Sequence, residues 1–352
     1  MTWQLIPILA EARQRGASDV HLVRDIVPAL RIAGQLERLV GERLDEQTLR
    51  GFLEEVATSR QIESFHRDRQ LCLALEPAGV GRIRVGIYQR SGCPEMAIRL
   101  SETSIRSAAD LRLPPIVKEL TYRAGGLVLV TGPTGVGKTT TLNYMIDCIN
   151  RERPLKIVTI EDPIEYVHRS QQSIVVQQEV DTDVASFGAA LVHVLRQDPD
   201  VIVIGEMRDL ETIQTALVAA ETGHLVLATL HTPDVAQTIQ RIYSVFPAEQ
   251  QNAIVIQLSN SLQAVVAQRL LPRKDGASQV LACEVCVTTP AVRTHIRDRQ
   301  VHQLANEMQT GMKFQMQTMD ASLLSLVQNG DISVETALAN AQNPEFIRRH
   351  AR

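Results

Sequence analysis

At 352 residues, 44% of them hydrophobic and 22% charged, the chain has the composition of an ordinary globular protein with length enough for two domains. A formal charge of -4 gives no global reason to expect a nucleic-acid partner. No apolar run approaches the ~20 residues of a membrane span, and Met1-Thr-Trp-Gln-Leu5 lacks the basic start of a signal peptide, so a cytoplasmic protein is expected. Aromatic residues make up only 3%, which leaves the core to aliphatic side chains and suits a parallel sheet. The five cysteines, at 72, 93, 148, 283 and 286, are too sparse for a disulfide framework.

The first hundred residues read as a small α+β domain, helices on an antiparallel sheet. Residues 2–15 carry Leu5, Ile8, Leu9 and Ala12 at helical spacing and stop at Gly16. Short strands follow at 18–22 and 28–32, the second turning through Ala33-Gly34 into a hairpin with 35–39. A helical stripe over 45–65, with Asp45 as N-cap, predicts one helix, and strands follow at 71–75, 82–89 and 96–100. Arg82 and Arg84 stand two apart and so share one strand face. Residues 101–115 fade into Ser, Thr and Arg and end at Pro114-Pro115, the pattern of an interdomain linker.

Beyond that point aliphatic strands at 127–131, 156–160, 201–204 and 225–230 alternate with helical segments at 139–150, 186–196, 210–222 and 234–245. Such alternation predicts a mainly parallel sheet covered on both faces. The first of these strands runs directly into Gly132-Pro133-Thr134-Gly135-Val136-Gly137-Lys138-Thr139. Thr140 and a helix with Leu142, Met145, Ile146 and Ile149 on one side come next. Strand, glycine-rich turn and helix in that order aim backbone N–H groups at a triphosphate, with Lys138 on the β and γ phosphates and the Thr139 hydroxyl on Mg²⁺. Residues 132–140 are therefore the candidate ATP-binding set.

Two acidic segments follow at strand ends. Glu206 comes one residue after the strand 201–204, where a carboxylate is expected to support Mg²⁺, the longer Glu arm making up for the intervening Gly205. Strand 156–160 runs into Glu161-Asp162-Pro163-Ile164-Glu165, and Glu161 is the expected catalytic acid, orienting or deprotonating the attacking water. His224 and His231 bracket the strand 225–230 and are expected to sense the γ-phosphate. Cys283-Glu-Val-Cys286 lies on a strand over 280–287, where i and i+3 face opposite ways, so it reads as neither a metal site nor a redox pair. From Pro290 onward helical segments dominate.

Taken in order, these motifs resemble the secretion-superfamily (type II/IV secretion) ATPases, and among them the type IV pilus retraction ATPase (PilT-like) family. Residues 132–139 match its Walker A loop, 160–166 its Asp box, 198–209 its Walker B segment and 222–231 its His box. The likeness extends to 16–22, 246–250, 271–276 and 316–320. It implies an α/β fold: a PAS-like α+β N-terminal domain over 1–100, a linker over 101–115, a RecA-like P-loop domain over 116–289 and a helical C-terminal subdomain over 290–352. It further implies a homohexameric, Mg²⁺-dependent ATPase that powers pilus retraction and twitching motility. Such an enzyme works at the cytoplasmic face of the inner membrane, at the pilus base.

The implied partners are further copies of the chain, an inner-membrane pilus platform protein and, optionally, a second pilus ATPase, with no nucleic acid. In such rings ATP lies at a seam between domains and arginines of the N-terminal sheet approach the phosphates, which makes Arg82 and Arg84 the arginine candidates. The chain departs from the family at Gln178, where Arg is common, and over 291–298. Its length, and one C-x-x-C pair where assembly ATPases usually carry four cysteines, favour retraction over assembly. An accessory PilU-like ATPase, a secretion or conjugation-type translocation ATPase and a nucleotide-gated scaffold are the other readings.

Overall fold

The computed structural model describes residues 3–32, 34–101, 104–276 and 278–351. It divides into two compact units: residues up to Ser104 together with Pro163–Val167, and Ile105–Asp162 together with His168–Arg352. The assignment of Pro163–Val167 to the first unit interrupts the second within its acidic segment, after Asp162.

In the N-terminal unit α1 (Leu5–Gln14) precedes β1 (Asp19–Leu22), β2 (Ala29–Ile32) and β3 (Gln35–Arg38). Then come α2 (Glu46–Val56), α3 (Ser59–Asp68), β4 (Gln70–Leu75), β5 (Ile83–Arg90) and β6 (Cys93–Leu100). The strands form an antiparallel sheet in the order β3-β2-β1-β6-β5-β4. Leu5, Ile8, Leu9 and Ala12 of α1 are buried as their spacing predicts, against inward residues of the strands. On β5 Ile83, Val85 and Ile87 point into this core while Arg84 faces out, the alternation of a sheet with one wet face. The single helix expected over 45–65 is two. Asp45 caps the first as expected, its carboxylate accepting from the Thr48 N–H at 2.8 Å. Ala57 then turns extended and Thr58 restarts the chain as a capping box with Gln61. The apolar spacing runs straight through the break, which only the Thr-x-x-Gln helix-start signal marks.

The second unit opens with α4 (Ala108–Leu111) and α5 (Ile116–Leu120), and Leu113 between them is buried in its core, inside the stretch expected as a linker. Then follow β7 (Gly126–Thr131), α6 (Lys138–Glu152), β8 (Lys156–Glu161), β9 (Ile174–Glu179), α7 (Phe187–Val194), β10 (Val201–Ile204), α8 (Leu210–Glu221), β11 (Leu225–Leu230) and α9 (Val235–Ser244). The unit continues through α10 (Ala248–Ser261), β12 (Leu262–Pro272), β13 (Gln279–Val287), α11 (Pro290–Arg297), α12 (Leu304–Thr310), α13 (Met319–Gln328), α14 (Val334–Asn340) and α15 (Pro344–His350). Its sheet runs β13-β12-β7-β11-β10-β8-β9, with only the β12–β13 pair antiparallel. The strands β7, β10 and β11 are buried along their whole length, which is why they read as unbroken apolar runs. β9 and β12 have no counterpart in the sequence reading.

The C-terminal helices α13–α15, with Ile332 between the first two, pack Met319, Leu323, Ala337 and Ile347 on Leu271, Val280 and Ala282 of the β12–β13 pair. Outside β13, Val285 exchanges both backbone hydrogen bonds with Gln317. The Gln317 amide donates to the Cys283 carbonyl, and the Ser322 hydroxyl accepts from the Cys283 N–H. The buried Glu284 accepts from the Val235 N–H at the head of α9 and from the Gln342 amide, both at 3.0 Å. Burial raises its carboxyl to about 7, against those two hydrogen bonds and the charge of Arg269, which pull down.

Candidate active site

The parallel register places the ends of β7, β8, β10 and β11 on one edge of the sheet: Thr131 lies beside Leu230, and Ile204 beside both Ala228 and Ile160. Every chemistry-bearing segment that leaves a strand there starts from that edge, as open α/β sheets require. At Gly132 the chain turns with φ +140°, and a Cβ would stand 2.4 Å from the Gln268 carbonyl oxygen of β12, so only glycine passes. Gly135 and Gly137 also have positive φ, at +82° and +87°, with nothing closer than 4.0 Å to where a Cβ would be. Helix α6 starts at Lys138 with no side chain capping its first turn. Its leading N–H groups and the positive end of its dipole therefore face the hollow of the loop, a ready anion site. Thr139 and Thr140 are half-buried in that first turn, Val136 is buried, and Pro133 and Thr134 are exposed.

The buried Lys138 ammonium donates to the carbonyls of Gly132 (2.8 Å) and Pro133 (3.0 Å) and to His231 Nδ1 (3.3 Å). Burial lowers its pKa and the charge of Glu206 works the other way. With Nδ1 accepting from the ammonium, His231 gives its Nε2–H to Glu206 Oε1 at 2.8 Å, which fixes the tautomer. The other oxygen of Glu206 takes Arg208 at 2.7 Å, and the same guanidinium lies 3.7 Å from Asp162. Burial pushes the Glu206 carboxyl up, but the hydrogen bonds from Arg208 and His231 outweigh it and hold the group below its ordinary range. Lys138, His231, Glu206, Arg208 and Asp162 thus form one continuous polar chain along the sheet edge.

Glu161, the last residue of β8, is 6% exposed, and its Oε1 accepts from Thr159 Oγ1 (2.6 Å) and Gln177 Nε2 (2.9 Å). A Cβ on Gly205 would stand 3.2 Å from the Ile160 oxygen and 3.3 Å from the Glu161 Cα. The glycine between β10 and Glu206 is therefore what lets the two acidic segments run side by side. Nearby, the buried His168 bonds Asn143 Oδ1 of α6 through Nε2 at 2.9 Å, and burial lowers it to about 4, so it is neutral at physiological pH.

Three expected site residues stand apart from this cluster. His224 precedes the other end of β11, where Leu225 pairs with Gly126, and its Nδ1 contacts the Ala219 carbonyl at 3.0 Å. Six residues of strand put it ~20 Å from His231. The expectation that both histidines read one phosphate is thereby corrected: a strand separates the two ends it connects. Arg82 and Arg84 belong to the N-terminal unit, where Arg82 donates to the Ile164 carbonyl at 3.1 Å and Arg84 contacts Cys72 Sγ at 3.2 Å. Glu165 belongs to that unit too; burial raises its pKa against the charges of Arg84 and Arg99.

The family described as type II/IV secretion system protein matches residues 3–350. The chain belongs to this family. Over 338 residues, 96% of this chain and 98% of the relative, the secretion-family chain is 41% identical to the type IV pilus retraction ATPase PilT of Pseudomonas aeruginosa. It is 42% identical over 347 residues, 99% of this chain and 93% of the relative, to a twitching motility protein of Neisseria gonorrhoeae. A crystal structure of the pilus retraction motor PilT with bound ADP superimposes with a TM-score of 0.93 at 42% identity, covering 99% of each chain. The secretion-family fold of a small N-terminal domain and a RecA-like domain is thus the one this chain adopts. Among the described residues no helix is long and apolar enough to cross a membrane.

Sequence reasoning missed four members of the site in this secretion-family chain. Arg208 was two residues from Glu206 and within reach of notice. Thr159 lies at i−2 from Glu161 on the same strand face, a signal that period-two reading supplies. Gln177 and His168 gave no such signal, because the first sits on the unread strand β9 and the second in a loop.

Proposed function

We propose that this chain is a Mg²⁺-dependent ATPase that assembles as a homohexamer and drives retraction of a type IV pilus. The observation that carries the reading is the Lys138–His231–Glu206 chain beside an uncapped glycine-rich loop, in a protein that is similar to pilus retraction motors from end to end. The donor set fits the ligands: backbone N–H groups and an ammonium for the phosphates, a Thr hydroxyl and a carboxylate for the cation.

In this reading Lys138 leaves the Gly132 and Pro133 carbonyls for phosphate oxygens and neutralises charge that grows as the bond to the γ-phosphorus breaks. Glu161 takes a hydrogen bond, and in the end the proton, from the water that attacks that phosphorus, releasing ADP and inorganic phosphate. Thr139, with Glu206 in support, would hold Mg²⁺, which would supply charge neutralisation as the phosphate bond breaks. His231, bonded to both Lys138 and Glu206, loses its contact with Lys138 when the ammonium moves, and so registers the γ-phosphate. Arg82 and Arg84 act in trans from a neighbouring subunit. The partners are other copies of the chain and an inner-membrane pilus platform protein, at the cytoplasmic face of the pilus base.

The test is steady-state ATP hydrolysis against protein concentration, with mass measured in parallel. Turnover per subunit is expected to rise as the hexamer assembles. Flat turnover in a monomer would remove the ring and the arginines in trans. A deletion strain should keep its pili and stop twitching until wild type, but not Glu206→Ala, is returned. Twitching that persists without the gene would point to an accessory role beside a second ATPase.

A further inference from the structure

We propose that Gln177 is a positioning residue for hydrolysis, its side-chain amide setting the direction of Glu161 while tying together the two ends of the 162–168 loop. The inference rests on the reading of Glu161 as the residue that handles the attacking water. It starts from register: in the parallel β8–β9 pair Gln177 lies opposite Thr159, and Thr159 and Glu161, two apart, share a face with it. Three side chains of one face therefore meet at one carboxylate oxygen. The Gln177 Nε2 donates to Glu161 Oε1 at 2.9 Å and Thr159 Oγ1 donates to the same oxygen at 2.6 Å. Two donors on one oxygen hold the position of a carboxylate that is 6% exposed.

The other end of the amide is also engaged. Gln177 Oε1 accepts the backbone N–H of His168 at 2.7 Å, the residue at which the chain returns to its own unit after Pro163–Val167. His168 is in turn held by Asn143 of α6, the helix that begins at Lys138. One amide thus bridges the strand end that presents Glu161 and the returning backbone, and connects both to the helix of the phosphate loop. An amide is suited to this as no other side chain of its length is: it donates to the carboxylate at one end and accepts from a peptide N–H at the other.

The experiment compares Gln177→Ala, Gln177→Glu and Glu161→Gln in the purified full-length chain, reading kcat and KM for ATP and nucleotide affinity separately. Gln177→Glu is nearly isosteric and keeps the acceptor for His168 while replacing the donor by a like charge, so it remains informative if Gln177→Ala folds poorly. Both Gln177 variants are expected to lose about 10- to 100-fold in kcat with KM and affinity within about threefold of wild type, Gln177→Glu at least as severely. Wild-type kcat in Gln177→Glu, or a loss confined to KM in Gln177→Ala, with Glu161→Gln inactive, overturns the role of Gln177 and leaves that of Glu161 in place. An active Glu161→Gln overturns the reading of Glu161 itself, and this proposal with it.

Discussion

Glu284 and His168, both buried in the second unit, pull its stability in opposite directions over one pH window. Glu284 is raised from 4.5 to about 7, chiefly by burial, so between those values the folded state keeps a proton that the unfolded state has lost, and stability falls as pH rises. His168 is lowered by burial from 6.5 to about 4, so between those values the unfolded state holds a proton the folded state lacks, and stability rises with pH. At ~1.4 kcal/mol per pKa unit each effect amounts to about 3 kcal/mol. In the wild type the two slopes nearly cancel between pH 4.5 and 6.5. Glu284→Gln keeps an acceptor for the Val235 N–H and removes one slope. Its stability relative to wild type is expected to increase by about 3 kcal/mol from pH 4.5 to 7. His168→Gln should give the mirror image, falling behind the wild type as pH rises. The assay is urea unfolding followed by far-ultraviolet circular dichroism at half-unit steps of pH. The single tryptophan, Trp3, belongs to the N-terminal unit, so its fluorescence transition serves as a control that should not move. A difference between Glu284→Gln and wild type that stays flat across the window would refute the reasoning.

Gly132→Ala combines a φ of +140° with a Cβ only 2.4 Å from a backbone oxygen, and should destabilise the second unit by about 2–5 kcal/mol in chemical denaturation; a near-neutral result would show that the loop can shift. Lys138→Ala and Glu206→Ala should each lower ATP turnover at least about 100-fold, and rates near wild type in either would remove the site assignment. Arg82→Ala should lower turnover about tenfold or more while leaving nucleotide affinity within about threefold, since an arginine acting in trans is needed at the transition state rather than for binding. Loss of affinity instead would contradict that role.

The sequence was most legible where one local pattern decided the structure. The strand 127–131, the glycines at 132, 135 and 137 and the stripe from Leu142 to Ile149 each specify backbone on their own, and together they specify the loop. Glu206 and His231 were legible for the same reason, each following a fully buried strand. His224 misled because bracketing a strand looks like proximity in sequence while the strand itself holds the two ends apart. Strand β9 escaped notice because three apolar residues at a partly exposed sheet edge are too few to stand out, and Gln177 was lost with it. The break between α2 and α3 was hidden beneath uninterrupted apolar spacing, although Thr58 and Gln61 announce it. What could not be read was therefore long-range: which side chains of separate segments converge on Glu161.

The outer side of β13 carries a last consequence. A strand at a sheet margin offers unpaired N–H and carbonyl groups on which a strand from another copy can settle, and such growth ends in aggregates. Here the Gln317 backbone, its side chain and the Ser322 hydroxyl occupy the groups of Cys283 and Val285 that a newcomer would need. Removing the segment around 317–322 should leave the catalytic residues untouched yet give a protein that precipitates on concentration. The C-terminal helices would in that sense be insurance against zippering, carried by a chain proposed to spend its working life beside copies of itself.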